Sequence, residues 1–157
     1  MKQPVITRDL ERKAIYTDIL YDPEWTYVEV NVKDYKQHTL NISSPVIVDW
    51  GDGTIDKETE HMYDWHIDRD RVIVRVKGDI KPEFKSTSTF DSIITTKVLQ
   101  IGKYVTSCVG MFKGCKNLTE VAPNIFQYAT QVTDCSYMFS NCDNIKSIDG
   151  PLFPNDS

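Results

Sequence analysis

Cys108-Val109-Gly110-Met111-Phe112-Lys113-Gly114-Cys115-Lys116-Asn117-Leu118 returns 27 residues later as Cys135-Ser136-Tyr137-Met138-Phe139-Ser140-Asn141-Cys142-Asp143-Asn144-Ile145. Every apolar landmark matches: two cysteines, a Met-Phe pair and a closing Leu or Ile. The same offset brings Val105 onto Val132, Val121 onto Ile148, Ile125 onto Leu152 and Phe126 onto Phe153, so the match is a repeat and not a local coincidence. A period in this range signals a solenoid, because one such unit cannot enclose its own apolar face and must stack on a neighbour. The expected shared core is Cys108, Met111, Phe112, Cys115 and Leu118 in one unit, and Cys135, Met138, Phe139, Cys142 and Ile145 in the next. Stable stacks normally have three or more units. Only two are legible, with Thr95 to Ile101 reading as the tail of a degenerate earlier one, so support is expected from the rest of the chain, from another chain, or from both.

Upstream of the repeat the pattern becomes that of strands. Thr26-Tyr27-Val28-Glu29-Val30-Asn31-Val32 alternates apolar and polar residues, the period of a half-buried strand. His38 to Ser43, Val46 to Trp50 and Val72 to Lys77 are short, β-branched-rich runs bounded by Pro, Gly, Asp and Ser, which suits an antiparallel sandwich. No stretch reads as a long helix. Thr7 to Leu20 fits either a short amphipathic helix capped by Thr7 or an extended arm.

Val46-Ile47-Val48-Asp49-Trp50-Gly51-Asp52-Gly53-Thr54 is the most specific marker in this half. A buried strand runs into Asp52-Gly53, where Gly accepts positive φ and Asp bonds to nearby backbone. Together with His61-Met62-Tyr63 and Val72-Ile73-Val74-Arg75-Val76, it resembles PKD-like domains over residues 25–80. These are immunoglobulin-like sandwiches with a W-G-D-G-T turn, an H-x-Y strand start and a V-x-V last strand. The C-x-x-M-F-x-x-C-x-N-L motif, followed by P-x-x-F or G-P-L-F, resembles BspA-like leucine-rich repeats. Such repeats occur in surface proteins of the Bacteroidales and in proteins of their phages, often behind a PKD-like domain, and the order here is the same. The resemblance implies a mainly β fold, a small immunoglobulin-like β-sandwich followed by a short leucine-rich-repeat-like solenoid. It also implies surface assembly and binding of protein or glycan, with no catalytic residues. The expected organisation is an N-terminal arm or docking segment over 1–24, the sandwich over 25–80, a linker or degenerate first repeat over 81–97, and the repeats over 98–157.

Composition limits the partners. A chain of 157 residues with 40% hydrophobic side chains allows one ordinary domain or two small ones. Modules of about 60 residues bury only roughly 60% of their unfolded surface, so packing of one on the other, or oligomerisation, is expected. The net charge of -5 disfavours a nucleic-acid backbone as partner. Residues 1–96 carry 18 acidic and 13 basic side chains against five of each in residues 97–157, so the acidity belongs to the first half. No apolar run is long enough for membrane insertion. The start, Met1-Lys2-Gln3-Pro4-Val5-Ile6-Thr7-Arg8-Asp9, lacks the apolar run of a secretory signal, which points to synthesis in the cytosol.

The residues that could carry chemistry also have simpler roles. Asp49, Asp52 and Asp56 invite a calcium reading, but an Asp-Gly turn needs no metal and the spacing of a calcium loop is absent. His61, Asp64, His66 and Asp68 fit a strand start followed by a polar loop better than a transition-metal site. The cysteines of each unit are seven apart, wide of zinc-ligand spacing, and read as small buried hydrophobes. In-register stacking places Cys108 beside Cys135 and Cys115 beside Cys142 at roughly 4.8 Å, with parallel side chains that oppose a disulfide, so free thiols are expected. Asn41-Ile42-Ser43 and Asn117-Leu118-Thr119 fit glycosylation acceptors, although Asn117 is better explained as a turn residue of the repeat. No nucleophile elbow, phosphate loop or zinc-protease helix occurs. The expectation is a protein that is no enzyme, with no cofactor and no metal.

Two functions compete. The first is a phage virion component, such as a capsid decoration, head fibre or tail-associated protein, in which residues 1–24 dock and the repeats face outward among other virion proteins. The second is a bacterial cell-surface adhesin module that binds a host protein or glycan. There Tyr104, Tyr128 and Tyr137 serve as contacts, since tyrosine supplies amphipathic area at low entropy cost. The same rings equally fit a role as covers for the ends of the stack. Either function places the chain in an oligomer or larger assembly.

Overall fold

The structure, a computed structural model, describes residues 21–33, 37–65, 67–81 and 88–148. Residues 1–20 of the arm expected over 1–24, His66, the Leu152 and Phe153 register and the final segment over 149–157 lie outside the described residues. The fold is mainly β, and no helix occurs among the described residues. Seven strands run in order: β1 (Trp25–Asn31), β2 (Gln37–Asp49), β3 (Ile55–Asp64), β4 (Arg71–Lys77), β5 (Thr95–Gln100), β6 (Glu120–Val121) and β7 (Ser147–Ile148). All belong to one mixed sheet with spatial order β3-β2-β4-β1-β5-β6-β7.

β2 and β3 form a hairpin around the Trp50–Thr54 turn, closed by the Trp50 N–H donating to the Thr54 carbonyl at 3.0 Å. Gly51 and Gly53 take φ of 81° and 96°, the region the sequence reserves for glycine. At Gly51 there is a second reason, since an added Cβ would lie 2.4 Å from the Ile73 carbonyl oxygen. Two runs that the sequence shows as separate strands, 38–43 and 46–50, are one strand, β2. The register shift between Asn41 and Val46 spans Pro45, which cannot donate to a ladder and is accommodated at an irregularity. His61-Met62-Tyr63 ends β3 and does not start a strand, because pairing with β2 begins at Ile55 and carries a polar sequence along with it.

β1 departs from its expected half-burial. Six of its seven residues are buried, because it runs between β4 and β5 with both sheet faces covered. Val28 and Val30 enter the main core, whereas Trp25 and Tyr27 join Leu99, Ile47 and Ile73 in a small cluster on the other face. Glu29 is buried there with its carboxylate accepting from Arg71 at 3.2 Å and the Thr96 hydroxyl at 2.9 Å, which meets the need of a desolvated charge for a partner.

From β5 onward the sheet turns parallel. Val98 pairs with Val121, and Val121 with Ile148, so three successive chain passes, here called rungs, lie side by side. The first occupies residues 88–100, the second 107–121 and the third 134–148. Phe90, Phe112 and Phe139 form one column of near-parallel rings, with centroids 5.1 and 5.8 Å apart and interplanar angles of 10° and 8°. Between the second and third rungs, the N–H groups of Cys108, Gly110, Phe112 and Gly114 donate to the carbonyls of Asp134, Ser136, Met138 and Ser140 at 2.7–3.0 Å. Asn117 donates its amide to the Ile93 carbonyl and Asn144 its own to the Lys116 carbonyl, both at 2.6 Å, a side-chain ladder across successive rungs. One core cluster runs from Val28 and Trp50 through Phe90 and Phe112 to Met138.

Candidate binding surface

The acidic turn is fully engaged internally. Asp49 caps the Gly51 N–H at 3.0 Å and pairs with Arg75 at 2.9 Å, and Arg75 in turn lies 4.1 Å from the Trp25 ring centroid. Asp52 accepts from the Thr54 N–H at 3.0 Å and from the Tyr63 hydroxyl. Asp56 accepts from the indole N–H of Trp50 at 3.1 Å. Tyr63 stacks on Trp50 at 4.4 Å, and Trp65 meets both rings edge-on while donating to the Trp50 carbonyl at 2.8 Å. The three carboxylates therefore point to separate donors and hold an aromatic corner together. Burial, and after it the Asp52 carboxylate, raises the Tyr63 phenol above its ordinary range. Among the described residues no three His, Cys, Asp or Glu side chains converge on a place that would hold a metal ion.

The four cysteines lie where the repeat puts them, as vertical pairs, and none is disulfide-bonded. Cys108 faces Cys135 and Cys115 faces Cys142. Interaction with the partner thiol and then burial push Cys108 and Cys115 up, and the same interaction pushes Cys135 and Cys142 down, Cys142 to about 7. Cys142 Sγ also lies 3.0 Å from the Phe112 carbonyl oxygen.

The three tyrosines do not form one patch. Tyr104 is 37% exposed, and its hydroxyl donates to Glu24 at 2.7 Å, which ties it to the segment before β1. Tyr128 is half-buried. Tyr137 is 69% exposed, with Lys113 at 5.9 Å from its ring centroid. Its backbone is unusual for an aromatic residue: φ is 59°, and the equivalent position in the second rung is Gly110 with φ 62°. The pair Gly114 and Asn141 repeats this, at 72° and 60°. Such conformations cost an L-residue about 1–2 kcal/mol, so the third rung holds an exposed aromatic at a position where glycine is the unstrained choice.

The two rungs of the repeat differ in cover. In the second, Cys108, Met111, Phe112, Cys115 and Leu118 are all fully buried. In the third, Met138 is buried, but Cys135, Phe139, Cys142 and Ile145 are only half-buried. The reason is positional, since the third rung covers the second and no described residue covers the third. This end of the stack, with Tyr137 at its rim, is the candidate surface. Sequence reasoning found its residues but not that they stand at an open end, nor that Phe90 extends the ring column. The available signal was the spacing of Phe90 and Val98 ahead of Phe112 and Val121, which is shorter than the period of the two clear copies.

No protein-family model matches this chain, and no curated protein or solved structure matches it either.

Proposed function

We propose that this chain is a non-enzymatic structural and binding protein, a phage virion component of the decoration, head-fibre or tail-associated kind, that presents its repeat surface to other proteins. The finer fold belongs to the same proposal: an immunoglobulin-like sandwich over residues 25–80, followed by a leucine-rich-repeat-like solenoid over 98–157. The β2–β3 hairpin around the W-G-D-G-T turn and the stacked rungs support that reading.

The observation that carries the functional reading is the third rung, which no described residue covers. Its apolar landmarks match those of the second, yet Cys135, Phe139, Cys142 and Ile145 are only half-buried, as suits a subunit completed by a larger assembly. Mass spectrometry of purified phage particles tests it. The chain is expected at a fixed stoichiometry in intact particles, and its absence from them while the soluble protein persists in the lysate sinks the proposal.

A second reading, a bacterial cell-surface adhesin module for a host protein or glycan, is favoured by one feature, the strained and exposed Tyr137 ring. Surface proteolysis of intact cells separates the two, since only an adhesin is shaved from the cell exterior.

A further inference from the structure

Over residues 108–114 the backbone hydrogen bonds from the second rung to the third run in one direction, whereas further along the Lys146 N–H donates back to the Thr119 carbonyl. The amide groups of Cys108, Gly110, Phe112 and Gly114 all donate outward, at alternate residues, to carbonyls of the next rung. At the repeat offset their counterparts are Cys135, Tyr137, Phe139 and Asn141. The local backbone is the same in both rungs. Met111 to Cys108 and Cys115 to Phe112 turn bonds are matched by Met138 to Cys135 and Cys142 to Phe139, and the positive φ values fall at Gly110 and Tyr137 and at Gly114 and Asn141. The four N–H groups of the third rung therefore point away from the second, and none has an acceptor among the described residues. Unpaired backbone donors beside half-buried Phe139, Cys142 and Ile145 form a template that is polar along one line and apolar beside it.

The geometry points to an extended polypeptide segment of a different protein as the ligand of this end: one that offers backbone carbonyls at alternate residues to Cys135, Tyr137, Phe139 and Asn141 and lays an apolar side chain on Phe139. Three observations select that chemistry. The same donor array one rung earlier is satisfied by polypeptide, residues 134–140, with the Phe139 ring over Phe112. An anion fits poorly, because Asp134 and Asp143 bracket the row in sequence and a single anion reaches only one or two of four donors spread along the chain. A second copy docked end to end about a two-fold axis would oppose donors to donors and leave both rows unsatisfied. Recognition is thus strand addition at a repeat end, with main-chain bonds for affinity and the Phe139 contact for side-chain preference. It rests on the binding role proposed above.

Amide hydrogen exchange on the full chain, resolved by residue, tests it with a defined probe: a synthetic peptide of residues 131–148 under reducing conditions, the segment whose carbonyls already serve the second rung. In the dilute free protein, the amides of Cys135, Tyr137, Phe139 and Asn141 are expected to exchange faster than those of Cys108, Gly110, Phe112 and Gly114. Saturating peptide is expected to slow the first four by about tenfold, the factor that one net hydrogen bond of ordinary strength supplies, and to leave the second four unchanged. A Phe139→Ala chain is expected to lose this protection with the second rung's amides still protected. Protection of the four amides already in the dilute free protein, protection that grows with protein concentration alone, or no response to peptide would each overturn the assignment; the first gives the site to the chain's own residues and the second to another copy. Failure of the virion reading is distinguishable, since absence from particles leaves the exchange result untouched.

Discussion

Truncating Phe112 to alanine probes the stacked core directly, because the same substitution at Phe139 serves as an internal control. Phe112 is wholly buried between two parallel rings, at 5.1 Å from Phe90 and 5.8 Å from Phe139. Removing a buried phenyl ring costs about 3–5 kcal/mol, a figure that includes the lost ring contacts and the cavity left between neighbours held by the backbone ladder. Phe139 is the same residue type in the same repeat position, but among the described residues it has one ring neighbour, and it is half-buried, so its truncation is expected to cost about half as much. Urea unfolding measures both. With a slope of about 2 kcal/mol per molar, a loss of about 4 kcal/mol moves the Phe112→Ala midpoint by about 2 M and the Phe139→Ala midpoint by about 1 M. Trp25, Trp50 and Trp65, the only tryptophans, all lie ahead of β5, so their fluorescence reports the upstream strands while far-ultraviolet circular dichroism reports the whole chain. Coincident transitions are expected, since β1 pairs with both β4 and β5. Equal losses at the two phenylalanines, or a greater loss at Phe139, would refute the claim that the third rung is the open end.

Replacing Tyr137 by glycine relieves a left-handed conformation worth about 1–2 kcal/mol against glycine's extra unfolded-state entropy of about 0.5–1 kcal/mol, so thermal melting should show unchanged or slightly higher stability; a clear drop would mean that the ring is a structural cover. Maleimide labelling should reach Cys142 first, with a rate that rises as pH passes about 7. A folded-state value below the ordinary thiol range means thiolate above that pH and unreactive thiol below it, while Cys108 and Cys115 stay protected until unfolding. Equal labelling of all four at neutral pH would contradict the thiol pairing. Asp52→Ala removes the acceptor of the Thr54 N–H and the Tyr63 hydroxyl and should cost about 1–3 kcal/mol by urea unfolding, whereas calcium added to the wild-type chain should leave its melting temperature unchanged; stabilisation by calcium would show that these carboxylates converge on an ion after all.

The amino-acid sequence determined the features that depend on local pattern. The C-x-x-M-F-x-x-C template at a fixed offset was enough to predict that Phe112 lies over Phe139 and Cys108 beside Cys135, because a repeated apolar face leaves its neighbour as the partner in register. Asp52 and Gly53 marked their turn for an equally local reason, the φ and side-chain bonding such a turn requires. Tertiary structure decided the features that depend on which strand lies beside which. Periodicity shows that a strand has a buried face but not what covers the other one, so Glu29 reads as solvent-facing although it is buried against Arg71 and Thr96. The polar run Ile55–Asp64 became a strand through pairing with β2, a preference its own side chains do not carry. Residues 88–100 became the first rung through the ring of Phe90 and the parallel pairing of Val98, in a stretch that has neither the cysteines nor the Met-Phe pair. Openness of the third rung belongs to this second class, since burial depends on neighbours and Phe112 and Phe139 differ in nothing else.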